Sequence, residues 1–148
     1  MVELFNVLAK GALSITAPTT QVFDDVAAAK ITVFDNILVT RGGIIPSIPD
    51  SDIEVPKTGS FDVILAGSIE MGISDELNFG IYVNGVLEST EMAQIQGKGA
   101  GTPVPFNWSA SDVGMSAGNT LDVRAMNAKP GNVSVDFRSL FLAVKADS

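Results

Sequence analysis

The chain has 148 residues with no cysteine and no histidine, and its 17 acidic and 9 basic side chains leave a net charge of −8. That length fits one domain able to bury its own core, while the missing residue types exclude disulfides, thiolate metal sites and any Ser-His-Asp or Cys-His catalytic set. The acidic balance, with basic residues scattered, argues against nucleic acid as a partner, because phosphate binding draws on clustered Lys and Arg.

The start, Met1-Val2-Glu3-Leu4-Phe5, lacks the basic lead and long apolar run of a secretory leader, so the expectation is a protein made in a cytoplasm. No run approaches the roughly 18 apolar residues that cross a bilayer, and no membrane partner is expected. Hydrophobic residues make up 46% of the chain and charged ones 18%. That is apolar for a monomer of this size, and it predicts either subunit contacts or a thick sandwich core.

Residues 1–20 carry no clear period and are expected to form an N-terminal arm or a first edge segment, with one domain over 21–148. Leu4, Phe5, Val7 and Leu8 make the arm apolar, which points to docking on a partner or back on the domain. Asp24 to Lys30 reads as a short helix, its paired acids meeting the N-terminal dipole. Ile31 to Val39 is a predicted strand, Gly42 to Pro49 a Gly/Pro-rich loop, and Ile53-Glu54-Val55 another short strand.

From Ser60 the pattern sharpens. Phe61, Val63, Leu65, Gly67, Ile69 and Met71 share one face, with Ser60, Asp62, Ser68 and Glu70 opposite. Period two over a dozen residues is a strand signal that a helix would scramble. Phe79, Ile81 and Val83 then alternate with Asn78, Gly80 and Tyr82 up to Asn84-Gly85, the dipeptide suited to a type I′ hairpin, and Val86-Leu87 begins the return. Leu121, Val123 and Ala125 alternate with Asp122 and Arg124, and Pro130-Gly131-Asn132 turns into the last strand. That strand alternates from Val133 to Phe137 and then stops: Leu140, Phe141, Leu142, Ala143 and Val144 are all apolar. A strand apolar on both faces is covered on both, which makes Leu140, Phe141, Leu142 and Val144 candidate interface residues. Many short alternating runs between Gly, Pro, Asn and Asp predict an all-β sandwich or barrel, without internal repeats.

Several segments invite a site. Gly97-Lys98-Gly99-Ala100-Gly101 suggests a phosphate loop, but Thr102-Pro103 follows where a helix N-terminus is needed, so a hairpin loop is expected. Asp50, Asp52 and Glu54 fall at alternate positions, a spacing of hard oxygen ligands that suits Ca²⁺; the competing reading is a solvated loop rim, and no metal or cofactor is expected. Asn107-Trp108-Ser109 and Asn132-Val133-Ser134 match a glycosylation sequon, read as chance in a protein without a leader. Phe106 and Trp108 either stack on a sugar or hold a buried or interface strand position, the second being expected from their alternation.

The stretch from Ile31 to Phe61 resembles the opening of the complement C1q/tumour-necrosis-factor-like jelly roll. Phe34-Asp35, Gly42-Gly43 and Val55-Pro56-Lys57-Thr58-Gly59-Ser60-Phe61 match that family's Phe-Asp strand, Gly-rich loop and Val-Pro-x-x-Gly-x-aromatic turn. Tyr82-Val83-Asn84-Gly85, Ser116 to Leu121, and Ser139-Leu140-Phe141-Leu142 look like its later hairpin, turn and final strand, so the likeness runs over 31–145. Asn119 stands where the family has Asp, and the last strand lacks the expected glycine. Those departures set the chain beside phage virion proteins of this fold. The resemblance implies a jelly-roll β-sandwich that trimerises about an apolar axis. It further implies a head decoration, or cement, protein on the outer capsid, with the major capsid protein as partner and Leu4, Phe5, Val7 and Leu8 as capsid contacts. The alternative is a receptor- or glycan-binding fibre module on the same trimer. A cupin-like enzyme is excluded by the missing histidine.

Overall fold

The computed structural model describes residues 9–88 and 93–147. Two antiparallel sheets make the fold. The first has the order β11 (Val104–Met115), β7 (Gly59–Glu70), β13 (Val133–Ala146), β1 (Lys10–Ser14), β4 (Asn36–Arg41), with β2 (Thr19–Phe23) also paired to β13. The second has the order β10 (Ala93–Gln96), β8 (Glu76–Val83), β12 (Thr120–Asn127), β6 (Asp52–Glu54), β5 (Ile45–Ser47); β3 (Ala29–Lys30) pairs with β12 and β9 (Val86–Leu87) with β8. Side chains alternate across each strand, so one face of each sheet points into a shared core. Leu13, Leu65, Ile53, Leu121 and Leu142 are fully buried there, and Phe23 meets Phe137 edge to face with ring centroids 6.2 Å apart.

The long strand from Ser60 follows the predicted alternation. Phe61, Val63, Leu65 and Ile69 are buried, and β7 spans Gly59–Glu70. The Asn84-Gly85 hairpin also forms, with φ of 50° and 80°, the left-handed pair that a type I′ turn requires. Asn84 contributes a second link, its Oδ1 accepting from Thr120 N at 2.9 Å.

Four local expectations are corrected. Lys10–Ser14 lies inside the first sheet between β13 and β4, not on an arm; its Gly-Ala-Leu centre is too short to show a period and is buried from both sides. Leu4, Phe5, Val7 and Leu8 lie outside the described residues. Asp24 opens a turn and not a helix, its Oδ1 accepting from Val26 N at 3.0 Å and Ala27 N at 3.2 Å. Such side-chain bonds compete with helix formation. The predicted strand at Ile31 begins instead at Asn36. Ile31, Val33 and Phe34 are buried ahead of it, and Asp35 binds Thr16 N and Oγ1, each at 2.8 Å.

The fourth correction concerns the last strand. Phe137 pairs with Ile69 and Ser139 with Ser68, so Arg138 is an extra residue, a β-bulge. The bulge reverses the phase of alternation: Val133, Val135 and Phe137 face the core before it, and Leu140, Leu142 and Val144 after it. Leu140, Leu142 and Val144 therefore belong to the core and not to an interface. Of the four predicted contact residues, only Phe141 turns outward. Just past the bulge, opposite Leu140, stands Gly67. A Cβ there would come 2.9 Å from the Ser139 carbonyl carbon and 3.0 Å from Leu140 Cα, with the Ser139 oxygen nearer still.

Candidate self-association surface

With Val63, Leu65, Leu142 and Val144 inward, register defines what the first sheet shows to the outside. One row runs Ser109, Ile64, Ala143, Ala12, Val39 across β11, β7, β13, β1 and β4. The next runs Asn107, Ala66, Phe141, Ser14, Asn36, and a third holds Pro105, Ser68 and Ser139. None of these is charged. Ser68 and Ser139 share a hydrogen bond at 3.1 Å, and Asn36 Nδ2 donates to Ser14 Oγ at 3.1 Å, so these four polar members are engaged with each other. Ala12 and Ala143 are buried, while Phe141 is half-buried and Ile64 is 40% exposed. On the edge strand β4, Ile37 and Leu38 are exposed as well, Ile37 opposite core-facing Leu13 and so outside these outward rows.

Charge frames this uncharged field at both ends. Beyond Ser139, Arg138 reaches Asp136 at 3.4 Å and Glu70 at 3.8 Å. At the other end Asp62, Lys145, Lys10 and Arg41 form one cross-strand row. An uncharged centre within a charged rim is how protein–protein interfaces are built.

The opposite sheet carries a different feature on its outer face. Asp122 is buried there, gripped by Arg124 Nε at 2.8 Å and facing Lys30 Nζ at 3.8 Å. Arg124 also lies over the Tyr82 ring, 4.8 Å from its centroid, and its hydrogen bond to Asp122 raises its pKa further. The alternation that placed Asp122 outward was right; what covers it is its own counter-ions.

This cluster decides the fate of the predicted calcium ligands. Asp52 Oδ2 stands 4.0 Å from Lys30 Nζ, and the same ammonium donates to the Asp50 carbonyl at 3.0 Å. The Asp50 carboxylate turns away to accept from Ser47 Oγ at 3.0 Å. Asp50, Asp52 and Glu54 thus do not converge, and a lysine holds the place a cation would take. Among the described residues, no three His, Cys, Asp or Glu side chains are placed to hold a metal. Burial raises the Asp52 pKa against the opposing charge of Lys30, with Asp50, Asp122 and Glu54 adding to the rise.

Two other expectations bear on ligands. Phe106 and Trp108 pack against Phe79, with ring centroids at 5.4 and 6.1 Å, so the aromatic pair serves the core edge. In the glycine loop, Gly97 N donates to Asp75 O at 2.8 Å and Gly99 N to Met71 O at 3.0 Å, leaving those amides spoken for. Beside it, Glu70, Met71, Gly72, Ala100, Ser134 and Asp136 line an open groove of about 260 Å³, in which Glu70 also faces Arg138 at 3.8 Å.

No family model matches the chain, and no curated protein matches it in sequence. Among solved structures it is similar to the Eiger TNF of S. frugiperda, with a TM-score of 0.66 and 13% identity over 97% of this chain and 94% of that one. It is similar also to the globular domain of zebrafish complement 1qA protein, with a TM-score of 0.58 and 8% identity over 96% of this chain and 98% of that one. At such identities the likeness speaks of fold alone: the chain is an all-β sandwich of the C1q/TNF-like jelly-roll kind.

Proposed function

We propose that this protein is a virion structural component, a decoration protein that coats the outer head of a tailed bacteriophage as a trimer. The observation that carries the self-association half is the uncharged outward face of the first sheet, with Ile64 exposed and Phe141 half-buried at its centre. The capsid half is supported by the departures from the C1q/TNF-like pattern, Asn119 and a last strand without its glycine, which fit phage virion proteins of this fold, and by a chain with neither histidine nor cysteine for catalysis. Many weak contacts, repeated over a lattice, give firm attachment without any single strong one. The net charge of −8 suits the outside of a head, because the packaged genome repels it. Leu4, Phe5, Val7 and Leu8 are the proposed capsid contacts.

Light scattering of the purified protein, followed by sedimentation with undecorated heads, tests this reading. A trimer that sediments with heads supports it. A strict monomer that never does so defeats it. Removing residues 1–8 is expected to abolish head binding while the trimer persists; unchanged binding removes the arm from the reading. A glycan-binding fibre module gains little, because Trp108 and Phe106 are committed to Phe79.

A further inference from the structure

The charged row at the β1 end of the first sheet is sorted by sign. Asp62 of β7 pairs with Lys145 of β13, Lys145 with Lys10 of β1, and Lys10 with Arg41 of β4. Beyond Asp62, the β11 bulge brings Asp112 to the same end, where the Ser60 hydroxyl donates to its Oδ1 at 3.3 Å. Asp147 joins them, its backbone N–H donating to Ser60 O at 3.0 Å. A hydrogen bond with Asp112, and then the charge of Asp62, raise the Asp147 pKa above 3.8. Acid thus gathers at the β7–β11 edge and base at the β1–β4 edge, with Lys145 between.

Among the described residues, none of these six side chains makes an ion pair within 4.0 Å. Nor does the chain's own geometry let the two edges meet. Strands lie about 4.8 Å apart, so three strand spacings put Arg41 about 14 Å from Asp62. That exceeds the Debye length of about 8 Å at physiological salt. Crowded carboxylates at one edge and unpaired cations at the other are relieved when two copies bring opposite edges together.

We propose that this end is a self-complementary contact, in which the Lys10–Arg41 edge of one copy lies against the Asp62–Asp112–Asp147 edge of the next. The inference rests on the self-association reading above and adds which edges meet. A second copy is the occupant because both halves of the pair lie at one level of one face, continuous with the uncharged field of Ile64, Ala66 and Phe141. Copies rotated about an axis along the strands present opposite edges to one another at that level. Such matching sets register and partner choice more than raw affinity.

Sedimentation equilibrium at about 50 mM salt, where screening is weak, tests the pairing with four proteins: the parent, K10E/R41E, D62K/D147K and the quadruple variant. Each double variant is expected to weaken self-association about tenfold or more, and the quadruple to recover to within about twofold of the parent. Circular dichroism of each double checks that it folds. In about 1 M salt the differences shrink. An oligomeric parent with unaffected doubles, or a quadruple no better than either double, overturns the pairing alone. A monomeric parent overturns the reading on which it rests.

Discussion

Alanine at Gly67 adds one methyl group at the place where β7 passes the bulge of β13. The new Cβ would sit 2.9 Å from the Ser139 carbonyl carbon and 3.0 Å from Leu140 Cα. Both are backbone atoms of a central strand, which cannot swing aside as a side-chain tip would. Overpacking of this kind costs about 1–3 kcal/mol, with rigid backbone at the upper end. Against it stands the relief of glycine's unfolded-state entropy, about 0.5–1 kcal/mol. The net expectation is a loss of about 2 kcal/mol, or a fall in Tm of about 4–8 °C for a chain of this size. Gly114→Ala in β11 is the control, since no heavy atom lies within 4 Å of its Cβ position; it is expected to be neutral or slightly stabilising. Urea unfolding of both variants measures the difference. If Gly67→Ala matches the parent in midpoint and slope, the bulge does not need the glycine and the re-phasing argument falls.

Asp122→Asn keeps the shape of a buried acid but strips the charge that Arg124 and Lys30 satisfy; a loss of about 1–3 kcal/mol is expected in denaturant unfolding. Asp52 holds its proton more tightly folded than unfolded, so its contribution favours folding below pH 3.8 and is lost as pH rises through the raised folded value. Asp52→Asn is therefore expected to gain Tm over the parent at pH 7 and to lose that gain near pH 3, read by parallel melts. Phe79→Ala removes the ring on which Phe106 and Trp108 rest. About 3–5 kcal/mol of stability should go with it, and the emission of Trp108, the sole tryptophan, should shift red in the folded state.

How much of this was legible depended on whether a signal was local. Phe61 to Met71 and the Asn84-Gly85 hairpin wrote themselves into adjacent residues, and both formed. The strand from Val133 did not, because one inserted residue, Arg138, shifted the phase. A re-phased strand with apolar residues on its inner face, followed by Phe141 and Ala143 outside, looks the same in sequence as a strand covered twice. Gly67 was the available clue: a glycine amid an alternating apolar face marks a close backbone approach. β1 was missed because five residues show too little of any period. The Asp122–Arg124–Lys30 cluster was missed because β3 and β12 are remote in sequence, and alternation predicts a face but not its cover. The candidate association surface was half visible: Phe141 was named, but Ile64, Ala66 and the row of Asp62, Lys145, Lys10 and Arg41 needed register.

The place of β13 has a consequence for how the protein is made. It joins β7 and β11 on one side to β1 and β4 on the other, pairing Lys145 with Lys10 and Val144 with Val63. Until β13 leaves the ribosome, the first sheet exists only as three unconnected pieces, β7 with β11, β1 with β4, and β2 alone, and Leu13 and Leu65 have no strand between them. Commitment to the fold must then wait for the last strand, so a chain stalled before Val133 offers bare sheet edges to its neighbours and a task to chaperones.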